Sequence, residues 1–258
     1  IGVVYRIPLT NILGDEGIGF YGYAFEVYAM ALVLSSLSLP TAVSKLVSAR
    51  MAMKQRKNAF RVFTCSLIFA IVVGTLFALI IFFGADAFST HLMKSPLSAF
   101  ALKVLAPGLF IVSILGVLRG YFQGLGTMVP TAVSQIIEQI VNAVVSILGA
   151  VFLFKVGTRA AEKQNNELLG PAYGAAGATV GTIVGALFAL LFLIFAFFVY
   201  KDVIKRQIRR DKSRRTESYS RILKILIATI IPVIFSTAVY NINQILDRTL
   251  FNMIMAAH

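Results

Sequence analysis

The sequence predicts an all-α, polytopic membrane helical bundle, and three observations carry that expectation. Of 258 residues, 58% are hydrophobic and only 14% are charged, with a mean hydropathy of +0.84. Such an inventory cannot build a water-soluble surface, so a bilayer must act as the missing solvent. Uncharged runs recur that are long enough to cross a hydrocarbon core, which takes roughly 20 residues of helix. These runs are continuously apolar, as from Thr179 to Tyr200, and lack the short alternating segments of a transmembrane β-barrel.

Taken in order, a partial helix near 1–13 comes first. The run 27–44, extended upstream across the single acid Glu26, and the runs 62–85, 168–200 and 225–246 read as spans outright. Two more, about 97–121 and 128–154, carry an internal ionisable residue or border a Gly/Pro turn, yet stay apolar enough to insert. The expected total is seven. Small residues at Gly170, Gly174, Gly177, Gly181 and Gly185 are spaced for close helix packing. Pro8, Pro40, Pro107, Pro130 and Pro232 punctuate apolar segments, where a missing N–H permits kinks.

Charge gives the orientation. Lys and Arg number 24 against 11 Asp and Glu, and in an apolar chain such an excess marks cytoplasmic loops rather than nucleic-acid binding. Arg50, Lys54, Arg56, Lys57 and Arg61 follow one span, and residues 201–224 carry ten Lys and Arg; both segments are expected in the cytoplasm. Asp15 and Glu16, the stretch 84–96 and the stretch 157–172 fall on the outer side, which satisfies the alternation. The organisation expected is a first transmembrane bundle over 1–200, a basic cytoplasmic linker over 201–222, and the first span of a second bundle over 223–258. The linker is suited to anionic lipid, although positive-inside topology alone explains it. The chain starts at Ile1 and stops at His258, each beside an apolar stretch, and so reads as a piece of a longer protein.

Polar residues at bilayer depth are the informative ones, since an ionisable group there costs at least about 2.5–3.5 kcal/mol. Thr131, Gln135, Glu138, Asn142 and Ser146 recur at intervals of three or four and share one helix face. That face either lines a hydrated path or makes interhelical hydrogen bonds. Arg6, Glu26, Asp247 and Arg248 supply charges of both signs, and pairing would lower their burial cost. A planar guanidinium such as that of Arg6 suits phosphate oxygens. Glu26, Glu138 and Asp247 are candidates for ion coupling. The single cysteine, Cys65, reads as packing, and His91 has no second ligand at metal spacing. No HExxH, Ser/His pair or clustered carboxylate pair indicates an enzyme.

The segment R-G-Y-F-Q-G-L-G-T-M-V-P-T-A-V-S-Q-I-I-E-Q, residues 119–139, resembles the SpoVB/YtgP group of polysaccharide-biosynthesis proteins. The openings G-V-V-Y-R-I-P-L-T-N-I-L-G at 2–14 and G-I-G-F-Y-G-Y-A-F at 17–25 are similar to the first-helix region of the same group. The resemblance implies membership of the MOP exporter superfamily, related to MurJ lipid II flippases and more distantly to MATE transporters. It implies a MATE/MurJ-like amino-terminal lobe of six spans plus the start of a second lobe. The two lobes would rock about a cavity that admits the headgroup of a polyprenyl-linked glycan lipid, without covalent chemistry, in the bacterial cytoplasmic membrane. The cavity residues then expected are Arg6, Glu26, Arg119, Gln123, Thr131, Gln135, Glu138 and Asn142. The MurJ pattern has further arginines in its first two helices, and here the second has Val33 and apolar neighbours where one is expected. No cofactor is expected; coupling to protons, sodium or the membrane potential is left open. The competing readings are a MATE-like cation-coupled exporter of small molecules and a non-transporting membrane scaffold for cell-envelope synthesis enzymes.

Overall fold

The computed structural model describes residues 2–92, 94–164, 166–211 and 216–236. Among them there are helices and turns and no strand. The elements are α1 (Gly2–Ser35), α2 (Leu39–Ala52), α3 (Arg56–Ala87), α4 (Ala99–Gly124), α5 (Val129–Gln164), α6 (Leu169–Arg209) and α7 (Tyr219–Ser236). A π-helical turn, Phe88–Leu92, and a short 3-10 turn, Pro96–Ser98, join α3 to α4.

The first element is two helices in one. Gly14 has φ 65° and ψ −179°, a conformation closed to side chains with a Cβ. Residues four apart on a straight helix keep their Cβ atoms about 5–6 Å apart, but a Cβ on Gly17 would stand 2.9 Å from that of Leu13. Tyr5 and Tyr21 line one cavity, although a straight helix would separate them by about 24 Å. The chain therefore folds back at Gly14. The acids Asp15 and Glu16, expected in an outer loop, open the returning limb, where negative charge complements the positive end of a helix dipole.

That returning limb and α2 are nearly continuous. Ser35 turns its hydroxyl onto Ala31 O at 2.7 Å and touches Ser36 Oγ at 2.9 Å, and Ser36 Oγ meets Ser113 Oγ of α4 at 2.6 Å. Pro40 then sits in the first turn of α2, and Pro130 stands second in α5, where a missing N–H costs nothing. These two prolines start helices; Pro8 and Pro107 lie inside them. At its far end α2 stops in a Schellman motif, with Lys54 N donating to Met51 O and Gln55 N to Arg50 O. Its left-handed position is filled by Lys54, φ 58°. The end of α4 repeats the motif with Gly126.

Among the described residues six segments are apolar and long enough to cross a bilayer, with both limbs of α1 and α2 counted together, and the chain is a multi-pass membrane protein. The seventh expected span, 225–246, is represented by α7; its remainder, with Asp247 and Arg248, lies outside the described residues. Several helices run past the predicted spans. α5 extends to Gln164 and α6 to Arg209, so Arg159 and residues 201–209 are helical. At 41 residues, α6 is about 60 Å long, twice the thickness of a hydrocarbon core.

Among the described residues a small apolar cluster of Leu9, Leu13, Ala150 and Ala178 ties the first limb of α1 to α5 and α6, and two larger cores hold the rest of the bundle. One joins α2, α3, α4, α6 and α7 around Leu46, Phe63, Tyr121, Leu193 and Ile222, with the Phe63 ring 4.5 Å from that of Tyr121 and 5.3 Å from that of Phe197. The other packs the returning limb of α1 against α3, α4 and α6 through Val27, Tyr28, Leu105 and Leu109. Cys65 is buried in the first core and His91 is exposed.

The α5–α6 seam is the closest in the bundle. Gly149 and Gly177 put their backbones in contact, with no room for a Cβ on either. Farther along, a Cβ on Gly181 would stand 2.7 Å from Asn142 O and one on Gly185 2.7 Å from Glu138 O. The glycine stripe read from the sequence thus seats the backbone of α5 at Glu138 and Asn142, which places those two side chains.

Candidate functional site

A cavity of about 600 Å3 opens between both limbs of α1, the middle of α5 and α6. Tyr5, Arg6 and Leu9 face it from the first limb; Ile18, Tyr21, Gly22, Phe25 and Glu26 from the second; Glu138, Gln139 and Asn142 from α5; and Thr182 from α6. The fold-back at Gly14 is what brings Arg6 and Glu26 to one space. Tyr21 and Phe25, one turn apart, form an aromatic ledge with ring centroids 4.9 Å apart. The lining offers a cation, carboxylates, amides, phenols and a hydroxyl beside rings, so it can take a hydrated, multiply hydrogen-bonding group.

Glu138 does not stand alone. Its Oε2 accepts from Arg119 Nη2 of α4 at 2.6 Å, with the side chains 14% and 23% exposed for Arg119 and Glu138. Arg119 Nε also donates to Ser134 Oγ at 3.0 Å, and Ser134 donates to Thr131 O at 2.7 Å. Arg119 thus braces Glu138 from behind the cavity wall and offsets its charge. Two charges buried with mutual hydrogen bonds are tolerated where one would not be.

Of the residues expected to line a cavity, Arg6, Glu26, Glu138 and Asn142 do so among the described residues. Arg119 stands behind them. Thr131 is buried and directs its hydroxyl to Arg119 O at 3.5 Å; Gln123 is half-buried at the end of α4, and Gln135 is exposed on α5 away from this space. Ser146, on the same stripe, donates to Ala178 O at 2.8 Å and belongs to the α5–α6 seam. The polar face therefore serves both uses weighed for it: packing at its ends, cavity lining at its middle. Sequence reading missed Tyr5, Tyr21, Gln139 and Thr182. The signal for Gln139 was its place next to Glu138; the others are single polar groups in apolar helices. No group of three His, Cys, Asp or Glu suited to a metal occurs among the described residues.

Known proteins share this architecture. The chain is 31% identical over 154 residues to stage V sporulation protein B of Bacillus subtilis, which covers 59% of this chain and 30% of that protein. To the lipid II flippase MurJ of the same organism it is 28% identical over 161 residues, covering 59% of this chain and 29% of that one. The matches thus span about a third of those relatives' length. Among solved structures, a MOP superfamily transporter from Pyrococcus furiosus superposes with a TM-score of 0.72 at 20% identity, over 95% of this chain and 50% of that one. A MATE protein in a straight conformation gives 0.74 at 20% identity, over 94% and 51%; at that identity the likeness is one of fold. The Bacillus relatives fit a bacterial cytoplasmic membrane. The polysaccharide biosynthesis protein model matches residues 1–257, and the chain belongs to that family.

Proposed function

We propose that this chain is the cavity-bearing lobe of a flippase that moves lipid-linked cell-wall or polysaccharide precursors across the cytoplasmic membrane by alternating access. The observation that carries the reading is the cavity itself, which gathers Arg6, Tyr5, Tyr21, Gln139, Asn142 and Thr182 between helices long and apolar enough to cross a bilayer. A guanidinium is suited to the phosphate oxygens of a polyprenyl-pyrophosphate, and amides and phenols are suited to sugar hydroxyls. The polyprenyl chain stays in lipid, and the membrane lipids themselves remain the solvent. The reaction is translocation, with no bond made or broken. The similarity to the lipid II flippase MurJ supports this class of cargo.

Glu26 and Glu138 in the same space favour a second reading, cation-coupled export of small molecules in the manner of MATE transporters. The two separate in liposomes holding the full-length parent protein. Transbilayer movement of labelled lipid II is followed for wild type, Arg6→Ala and Glu138→Gln. Movement lost in Arg6→Ala, in protein that keeps its helical content, establishes a precursor flippase. Folded wild-type protein that moves no lipid II, but expels a cationic dye in a manner abolished by Glu138→Gln, sinks that reading in favour of export.

A further inference from the structure

The segment between α6 and α7 uses its acidic residues on the cytoplasmic α2–α3 turn instead of on solvent. α3 begins after Gln55, whose side chain makes no capping bond, yet the Lys57 N–H in its first turn donates to Asp211 Oδ2 at 2.6 Å. A carboxylate there satisfies an orphan donor and sits at the positive end of the helix dipole. The end of α2 is treated the opposite way. Arg50 in its last turn donates to Leu46 O at 2.9 Å, and its other terminal nitrogen pairs with Glu217 Oε2 at 2.6 Å.

The backbone of Glu217 is held too. Its N–H donates to Asn58 Oδ1 at 3.0 Å, and its carbonyl accepts from Arg61 Nη1 at 2.6 Å. Arg61 lies 5.3 Å from the centroid of the Tyr219 ring, at the first residue of α7, and Cys65 Sγ approaches Tyr219 O at 3.7 Å. Burial separates this from a surface ion pair, most of which contribute little: Asn58 is 1% exposed, Arg50 5% and Asp211 7%. Topology by positive charge accounts for the basic residues of the connector. It does not account for two acids, bracketing that basic run, that are withdrawn from water onto two helix ends.

We propose that Asp211 and residues 216–219 form a cytoplasmic clamp that fixes the start of α7 to the α2–α3 end of the first bundle. This end of α7 then moves with the first bundle, and any motion of a second bundle against the first is taken up farther along α7. Below the clamp, an apolar groove of about 340 Å3 lined by Cys65, Ile68, Phe69, Val72 and Leu223 marks the α3–α7 seam that it holds closed. The clamp does not depend on what the cavity carries.

Hydrogen exchange on the full-length parent in nanodiscs tests it. In wild type, peptides covering 55–61 and 216–219 are expected to exchange slowly. Glu217→Ala should speed both together by about tenfold or more, with peptides of α5 and α6 unchanged. Asp211→Asn should speed 55–61 by a smaller factor of about five. Coil-like exchange of 216–219 in wild type, or acceleration by Glu217→Ala confined to one peptide, overturns the clamp. So does a bimodal pattern in both wild-type peptides, which marks a gate that opens as a unit.

Discussion

Truncating Arg119 to Ala should destabilise the protein far more than neutralising its partner with the isosteric Gln, and the structure gives the size of the difference. The two charges meet at 2.6 Å with side chains 14% and 23% exposed; at a charge separation of about 4 Å and an effective dielectric of about 20 their attraction is about 4 kcal/mol. Desolvation offsets part of this, and loss of one member of a fully buried pair costs about 3–5 kcal/mol. With some solvent reaching both groups, Arg119→Ala is expected to cost about 3 kcal/mol, because Glu138 keeps a buried charge without its cation. Glu138→Gln should cost only about 1 kcal/mol, since Arg119 keeps Ser134 and the new amide oxygen still accepts. The double variant should lose about 2 kcal/mol, leaving a coupling of about 2 kcal/mol. The assay is loss of helical circular dichroism of the full-length parent in mixed micelles of rising SDS content. Additive losses, with a coupling below about 0.5 kcal/mol, would falsify the brace.

Three other substitutions test separate parts of the structure. Lys54→Gly relieves a left-handed residue that costs about 1–2 kcal/mol at an entropy cost of about 0.5–1 kcal/mol, so stability in the same micelles should rise by about 0.5–1 kcal/mol; a fall would refute the Schellman assignment. Gly185→Leu, where even a Cβ stands 2.7 Å from Glu138 O, should cost about 1–3 kcal/mol by overpacking and impair transport even in folded protein, whereas an unchanged melting point means the seam is looser than described. Asp86→Ala removes an exposed ion pair with Lys103, side chains 70% and 39% exposed; the change expected is under about 0.5 kcal/mol, and a loss above about 1 kcal/mol would mean that the pair is structural.

Hydropathy and charge made the fold legible because both report on solvent. The spans, the alternation of basic and acidic turns, and the reversal near Asp15 follow from which residues a bilayer accepts. The same signal is silent on where a helix stops once it has left the membrane. Residues 201–209 looked like linker because they are charged, but Lys, Arg, Gln and Ile continue a helix readily, and α6 extends through them. Periodicity exposed the polar face of α5 without saying what lies opposite each residue. Thr131 and Ser146 meet neighbouring helices, while Glu138 and Asn142 meet open space, and only the packing of α4 and α6 decides which. The Arg119–Glu138 pair left a sequence trace, opposite charges at similar depth in consecutive spans. The Arg50–Glu217 pair left none, since its members stand 167 residues apart in segments that both read as ordinary cytoplasmic charge.

The cap that α3 borrows from Asp211 has a consequence for biogenesis. Lys57 and its acceptor are 154 residues apart, so at about 5–20 residues per second of synthesis the carboxylate follows the helix it caps by about 10–30 s. Throughout that interval α3 sits in the membrane with its first turn unanchored and α2 ends on an arginine still awaiting Glu217. The bundle becomes complete at its α2–α3 end only when the ribosome has passed the connector, so a nascent chain arrested before residue 211 should be open to added protease at the α2–α3 turn, and one arrested well after 219 should resist it.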